Sequence, residues 1–202
     1  MNVLSLFDGM SCGQIALNNL GIKVDKYFAS EIDKYAMEIA KKNFPDIIHV
    51  GNVEFVTKSM LNNKIDLIIG GSPCQGFSRA GKGLNFEDPR SKLFFEFVRL
   101  IKECKPKYFM LENVKMNKES RDIISEYLGV EPIYIDSALL SAQTRKRYYW
   151  TNIPNISEPI DKGVILKDII QTTEELKGSE VDERMVTNKG KAYCLTARYS
   201  GA

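Results

Sequence analysis

Val3-Leu4-Ser5-Leu6-Phe7-Asp8-Gly9-Met10-Ser11-Cys12-Gly13 decides the fold. Its first residues, apolar or small in a row, read as a buried strand. The acid and glycines that follow read as a turn. From Cys12 the apolar positions 12, 15, 16, 17 and 20 fall on one helical face, which Gly21 ends. The stretch is thus a strand, a tight turn and a helix. Working outward, the same unit recurs. Tyr27-Phe28-Ala29 is a second strand, and Asp33 caps a helix through Asn43 with Tyr35, Ala36, Ile39 and Ala40 facing inward. Ile47–Val50 is a third strand. Ile65–Ile69 is a fourth, ending in Gly70-Gly71. Leu93–Ile101 is a helix with Leu93, Phe94, Phe97, Val98 and Ile101 on one side. A strand at Tyr108–Leu111, a helix near 119–128 and strands near 131–136 and 147–152 follow.

Strands that alternate with helices across short links predict an α/β protein. Its fold class is a Rossmann-like, parallel-type twisted sheet with helices on both faces. Ligands of such sheets bind beyond the carboxyl ends of the strands. Four features fall at those ends: Phe7-Asp8-Gly9, Glu31, Pro73-Cys74 and Glu112-Asn113. Residues 1–153 read as this domain. From 154 the texture changes, with Pro154, Pro159, Gly163, Gly178 and Gly190 punctuating a polar stretch up to residue 202. That stretch reads as the start of a second lobe, incomplete where the chain stops.

The bulk properties narrow the function classes. The chain has 202 residues, 44% hydrophobic and 27% charged, with a net charge of +2, which fits a globular protein with a real core. No apolar run approaches the roughly 20 residues of a membrane span. The start carries no basic segment ahead of its apolar residues, so no secretory leader is expected. Cys12, Cys74, Cys104 and Cys194 form no CxxC pair, and His49 is the single histidine. Free thiols are expected, with neither a disulfide framework nor a metal site.

The strand ends carry the chemistry. Small residues at Gly9, Ser11 and Gly13 let backbone N–H groups approach a ligand at a helix N-terminus. Glu31, ending the second strand, is placed to accept hydrogen bonds from ribose hydroxyls. In Gly70-Gly71-Ser72-Pro73-Cys74-Gln75-Gly76-Phe77-Ser78, glycines and a proline hold a cysteine at the mouth of a buried strand, where amide dipoles or cations lower a thiol pKa. Residues 76–92 form a polar, glycine-containing loop suited to close over a substrate. Glu112 at an apolar strand end suits an acid or hydrogen-bond donor. Arg145 and Arg147 share one side of an extended strand and suit an anion or a polarised carbonyl.

Together these residues resemble the C5-cytosine DNA methyltransferase family. Phe7-Asp8-Gly9…Gly13, Pro73-Cys74-Gln75, Glu112-Asn113-Val114 and Gln143-x-Arg145-x-Arg147 match its motifs in order and spacing over residues 1–152. Asp88-Pro89-Arg90-Ser91-Lys92-Leu93-Phe94-Phe95 is similar to the family's helix after the catalytic loop. The wording is most similar to small phage and prophage members. The resemblance implies an S-adenosylmethionine-dependent methyltransferase fold acting on double-stranded DNA. It further implies that Cys74 adds to C6 of a flipped-out cytosine, that Glu112 hydrogen-bonds the N3 edge, and that Arg147 with Arg145 binds the O2 side.

For the cofactor, the resemblance implies Phe7 near adenine and the turn of Asp8, Gly9, Ser11, Cys12 and Gly13 at the methionine end. It also implies Glu31 on the ribose, Ile32 against adenine, and Pro73 and Leu93 lining the pocket. Asn52 stands where the family usually carries Asp. Gln75, Ser78, Arg79, Lys82 and Arg90 are the expected DNA contacts. The implied setting is the cytoplasm of a bacterial or phage-infected cell, in restriction–modification or phage DNA methylation. Ala192–Gly201 is similar to the middle of the family's target-recognition region, so either the chain is a fragment or a second chain completes the fold. Two alternatives stand beside this reading: a tRNA cytosine-C5 methyltransferase, and a truncated or split subunit that binds cofactor or DNA without turnover alone.

Overall fold

The computed structural model describes residues 1–73, 89–169 and 190–193, without the side chains of 89–91, 167 and 193. The elements in chain order are β1 (Asn2–Leu6), α1 (Cys12–Asn19), β2 (Lys26–Ser30), α2 (Lys34–Asn43), β3 (Ile48–His49), α3 (Lys58–Leu61) and β4 (Leu67–Gly70). Then come α4 (Pro89–Cys104), β5 (Tyr108–Val114), α5 (Lys118–Leu128), β6 (Ile133–Asp136), β7 (Gln143–Thr144), β8 (Lys146–Thr151) and β9 (Ala192–Tyr193). Three 3-10 turns, at Val53–Phe55, Ser137–Leu139 and Leu166–Asp168, complete the set. No helix among the described residues is long and apolar enough to cross a membrane.

The sheet order is β3-β2-β1-β4-β5-β8-β6, and the pairings from β3 through to β5 are all parallel. Parallel neighbours need crossover connections, which α1, α2 and α4 supply. The strands β1, β2 and β4 bury both faces. In β1, Leu4 and Leu6 join a core with Phe94, Phe97, Leu100 and Ile124 of α4 and α5. Val3 joins Leu17, Tyr27, Ala29, Leu67 and Ile69 on the opposite face. Helices therefore cover both sides of a Rossmann-like sheet, as the alternation of strand and helix requires. The single tryptophan, Trp150, is fully buried in the larger core and donates from Nε1 to Ser125 Oγ at 3.0 Å.

Two helices pack more narrowly than their patterns suggest. Of the expected face of α1 only Leu17 is buried, while Ile15 and Leu20 are exposed. The cause is Gly13, where an added Cβ would stand 2.2 Å from Ile69 Cδ1. The helix lies so close to the sheet at Gly13 and Leu17 that its flanking apolar side chains are lifted away. In α2, Asp33 caps as expected, its Oδ1 accepting from the N–H groups of Tyr35 and Ala36. Tyr35 and Ile39 point to solvent, however, and Ala40 is the buried position. Small residues make the contact with the sheet, which turns the larger ones outward.

The chain divides into two units. The first comprises Met1–Ile133 and Tyr148–Ile156, the second Tyr134–Arg147 and Ser157 onward. In the second, β7 pairs in parallel with β9. There Lys191 Nζ donates to the carbonyls of Ala138 at 2.6 Å, Ser141 at 3.1 Å and Val164.

Candidate active site

Register brings the strand ends of the first unit level. Leu6 pairs with Ser30 on one side and with Gly70 on the other, and Gly70 pairs with Leu111. The residues that follow, Phe7, Glu31, Gly71 and Glu112, therefore emerge along one edge. The order of connection reverses between β1 and β4, and such a switch point opens a crevice at this edge.

The turn after β1 is tightly built. Phe7, Gly9 and Ser11 all take left-handed backbone conformations, with φ of 56°, 61° and 63°. For a side chain as large as Phe7 that costs about 1–3 kcal/mol, a strain characteristic of ligand sites. Hydrogen bonds hold it in place. Asp8 N donates to Ser30 O at 3.1 Å, and the Asp8 carboxylate accepts from Tyr27 Oη at 2.8 Å and Ser11 Oγ at 2.5 Å. Burial, with the Asp8 charge adding to it, pushes the Tyr27 phenol pKa far up, so Tyr27 stays protonated and donates. Gly13 leaves room for this contact, since a Cβ there would stand 2.9 Å from Tyr27 Oη. Sequence reasoning missed this role of Tyr27. Its signal was a polar-tipped aromatic in a buried strand, facing the glycine of the adjoining helix.

Glu31 organises the neighbouring strand end. One carboxylate oxygen accepts from Gly9 N at 2.8 Å, and the other from Ile32 N at 2.7 Å and Asp33 N at 2.9 Å. A carboxylate offers about four acceptor positions, so these bonds leave capacity for a ligand hydroxyl.

A cleft of about 230 Å³ opens here, lined by Phe7, Ser30, Glu31, Ile32, Asn52, Val53, Pro73 and Leu93. It brings together six residues singled out from sequence and adds Ser30 and Val53. Asp8, Gly9, Ser11, Cys12 and Gly13 stand outside its lining, in the turn and the start of α1. Its walls are mostly apolar, with the Glu31 carboxylate and the Asn52 amide as polar groups. That set suits a nucleoside: a flat base between apolar side chains, and an acceptor for sugar hydroxyls. The volume lies below the roughly 300–1,000 Å³ of whole-ligand sites, so it matches part of such a ligand.

The β4 and β5 ends lock together. A Cβ on Gly70 would meet Leu6 O at 2.8 Å, and one on Gly71 would meet Glu112 Oε2 at 2.9 Å. The Glu112 carboxyl thus lies against the Gly71 backbone, three residues before Cys74. Asn113, buried, donates from Nδ2 to Ser72 O at 3.1 Å and to Ser72 Oγ at 3.3 Å. Cys74, Gln75, Ser78, Arg79 and Lys82 lie outside the described residues, as does the side chain of Arg90.

Arg145 and Arg147 begin in the second unit. Arg145 stands between β7 and β8, its N–H donating to Asp136 Oδ1 at 3.0 Å, and Arg147 Nη1 donates to Lys146 O at 2.8 Å. Arg145 is exposed and Arg147 half-buried. The expected single extended strand breaks at Arg145, because β7 pairs with β9 and β8 joins the large sheet. Among the described residues no cluster of three or more His, Cys, Asp or Glu could hold a metal ion.

The family model for C-5 cytosine-specific DNA methylases matches residues 1–128. The chain belongs to this family. Curated relatives of this chain include the orphan methyltransferase M.Rho11sI of Bacillus phage rho11s, 35% identical over 95% of this chain and 38% of that protein. Another is the type II methyltransferase M.NgoBV of Neisseria gonorrhoeae, 32% identical over 84% of this chain and 46% of that protein. The chain spans about two fifths of the length of these relatives. Among solved structures, a prophage-encoded protein of E. coli assigned as a DNA modification methyltransferase superposes with a TM-score of 0.62 at 30% identity. The match covers 75% of this chain and 46% of that one. A Spodoptera frugiperda DNMT2 variant, at 23% identity and TM-score 0.65, matches over 92% of this chain and 62% of its own length and shares the fold.

Proposed function

We propose that this chain is the cofactor-binding and catalytic part of an enzyme that methylates C5 of cytosine in double-stranded DNA. The observation that carries the reading is Pro73. It lines the nucleoside-sized cleft and is joined by a peptide bond to Cys74, while Gly71 of the same segment lies against the Glu112 carboxyl. One strand end thus connects a cofactor site, a nucleophile and an acid.

Bound S-adenosylmethionine supplies an electrophilic methyl group at this edge. Phe7, Ile32 and Leu93 hold the adenine, Glu31 the ribose, and the turn from Asp8 to Gly13 the methionine end. The Cys74 thiolate adds to C6 of the target base, and Glu112 hydrogen-bonds its N3 edge as the ring gains electron density. The methyl group so supplied would pass to C5, leaving S-adenosylhomocysteine, and transfer of the C5 proton to water with cleavage of the C6–sulfur bond would return the Cys74 thiolate. A stacked base cannot present C6 to Cys74, so the base is flipped out at a cost of a few kcal/mol. Arg145 and Arg147 steady the O2 side, and Gln75, Ser78, Arg79, Lys82 and Arg90 hold the DNA. Residues 154–202 begin the target-recognition lobe.

The test is covalent capture by duplex DNA carrying 5-fluorocytosine, with S-adenosylmethionine present. The Cys74 protein is captured and the Cys74→Ser variant is not; equal capture of both would sink the reading. Methyl-transfer assays with duplex DNA and with tRNA separate the two nucleic acids, and transfer to tRNA alone would overturn the DNA assignment.

A further inference from the structure

Asn52 is held by one neighbour at both ends of its amide. Its Oδ1 accepts from Glu54 N at 3.1 Å, and its Nδ2 donates to Glu54 Oε2 at 3.3 Å. The other oxygen of the same carboxylate, Oε1, takes the ammonium of Lys92 at 2.5 Å. Lys92 lies in α4 beside Leu93, which lines the cleft together with Asn52.

An amide has an acceptor end and a donor end, and its partners decide which way it faces. Reversing Asn52 would set its Oδ1 against the Glu54 carboxylate and its NH₂ against the Glu54 N–H. Both contacts are repulsive. The orientation shown leaves one lone pair on Oδ1 and one hydrogen on Nδ2 beyond those bonds. That pair complements an edge offering a donor next to an acceptor, as the amino group and N1 of adenine do.

Resting on the cofactor reading above, we propose that Glu54 and Lys92 are positioning residues that set the Asn52 amide for the cofactor's adenine edge and make asparagine, not aspartate, the matching residue at position 52. A carboxylate at position 52 would face Glu54 Oε2 across the distance the amide now spans, and two like charges there oppose each other. The Lys92 contact holds the Glu54 carboxyl below its usual pKa, with the Asn52 hydrogen bond adding to this, so Glu54 is charged at neutral pH. The turn has a second anchor besides the Asn52 cap. Arg99 Nη2 anchors it separately, donating to Val53 O at 3.2 Å and Val56 O at 2.9 Å.

The experiment is calorimetric titration of the full chain with S-adenosylhomocysteine. Asn52→Asp is expected to weaken binding about tenfold near neutral pH, with part of the loss recovered as pH falls and the carboxyl pair takes up a proton. In a Glu54→Gln background the same substitution is expected to weaken binding much less, because the glutamine amide donates to the introduced carboxylate and only the donor to the adenine acceptor is lost. Equal effects of Asn52→Asp in both backgrounds would overturn the inference while leaving the cofactor site standing. Absence of binding by the unaltered chain would remove the cofactor reading and this inference with it. Lys92→Glu offers a second arm at an exposed position, should Asn52→Asp not fold. It sets a like charge beside Glu54 and is expected to weaken binding about tenfold; unchanged affinity would overturn the role of the pair.

Discussion

The buried amide of Asn113 donates to the Ser72 carbonyl at 3.1 Å, tying the end of β5 to the segment that leads from β4 into Cys74. Asn113 Oδ1 also accepts from Val114 N at 2.8 Å. One side chain therefore ties the ends of two strands together.

Removing that tie has a measurable consequence. Asn113→Ala leaves the Ser72 carbonyl without its buried donor and is expected to lower stability by about 1–3 kcal/mol. Urea unfolding would register the loss. Covalent capture should fall with it even under conditions where the chain remains folded, because Glu112 and the Gly71 segment lose their common anchor.

Gly13→Ala tests the close approach of α1. The added methyl meets Ile69 Cδ1 and Tyr27 Oη, and the resulting overpacking is expected to cost about 1–3 kcal/mol. A shift in thermal midpoint would show it. A Tyr27→Phe background, which removes the hydroxyl, should lessen part of the penalty; an unchanged penalty would assign the clash to Ile69 alone.

Tyr27 also sets an alkaline limit. Its phenol pKa in the folded chain is raised by burial and by Asp8, so above the ordinary phenol range, near pH 10, the unfolded chain gives up a proton that the folded chain keeps. Stability is expected to be intact below about pH 10 and to fall as pH rises beyond it. Denaturant midpoints measured across that range should decline in the parent chain, and the decline should be shallower in Tyr27→Phe.

Glu31→Ala should act on two levels. Three backbone N–H groups lose a charged acceptor, with an expected cost of about 1–3 kcal/mol in stability. Affinity for S-adenosylhomocysteine is expected to drop about tenfold or more through the lost ribose contact, as about 1.4 kcal/mol per tenfold implies. A stable variant that binds undiminished would count against the ribose role.

In the second unit, Lys191→Met removes three donations to the carbonyls of Ala138, Ser141 and Val164. Amide exchange around the Ser137–Leu139 turn and the β7–β9 pair is expected to quicken, while exchange in β1, β4 and β5 stays slow. Mass spectrometry of exchanged peptides would resolve the two regions.

What could be read without coordinates was what local periodicity and punctuation encode. Strands that bury both faces appear as short apolar runs, and β1, β2, β4 and β5 lie where those runs fall. The Asp33 cap, the apolar stripe of α4 and the motif residues at the strand ends were legible for the same reason, since each is written in a few neighbouring residues. Short elements such as α3, the 3-10 turn Val53–Phe55 and β9 escaped, because a single turn of helix or a two-residue strand carries no period of its own.

Tertiary structure alone decided the rest. Strand order and register place Ser30, Leu6, Gly70 and Leu111 side by side, and nothing local in the chain states that alignment. The burial of only Leu17 along the expected face of α1, the Tyr27–Asp8–Ser11 network and the hold of Glu54 on Asn52 are relations between groups brought together by packing. Periodicity along a sequence reports which face of one element is apolar. How closely two faces approach, and which polar groups they leave within hydrogen-bonding reach of each other, depends on the shapes of both.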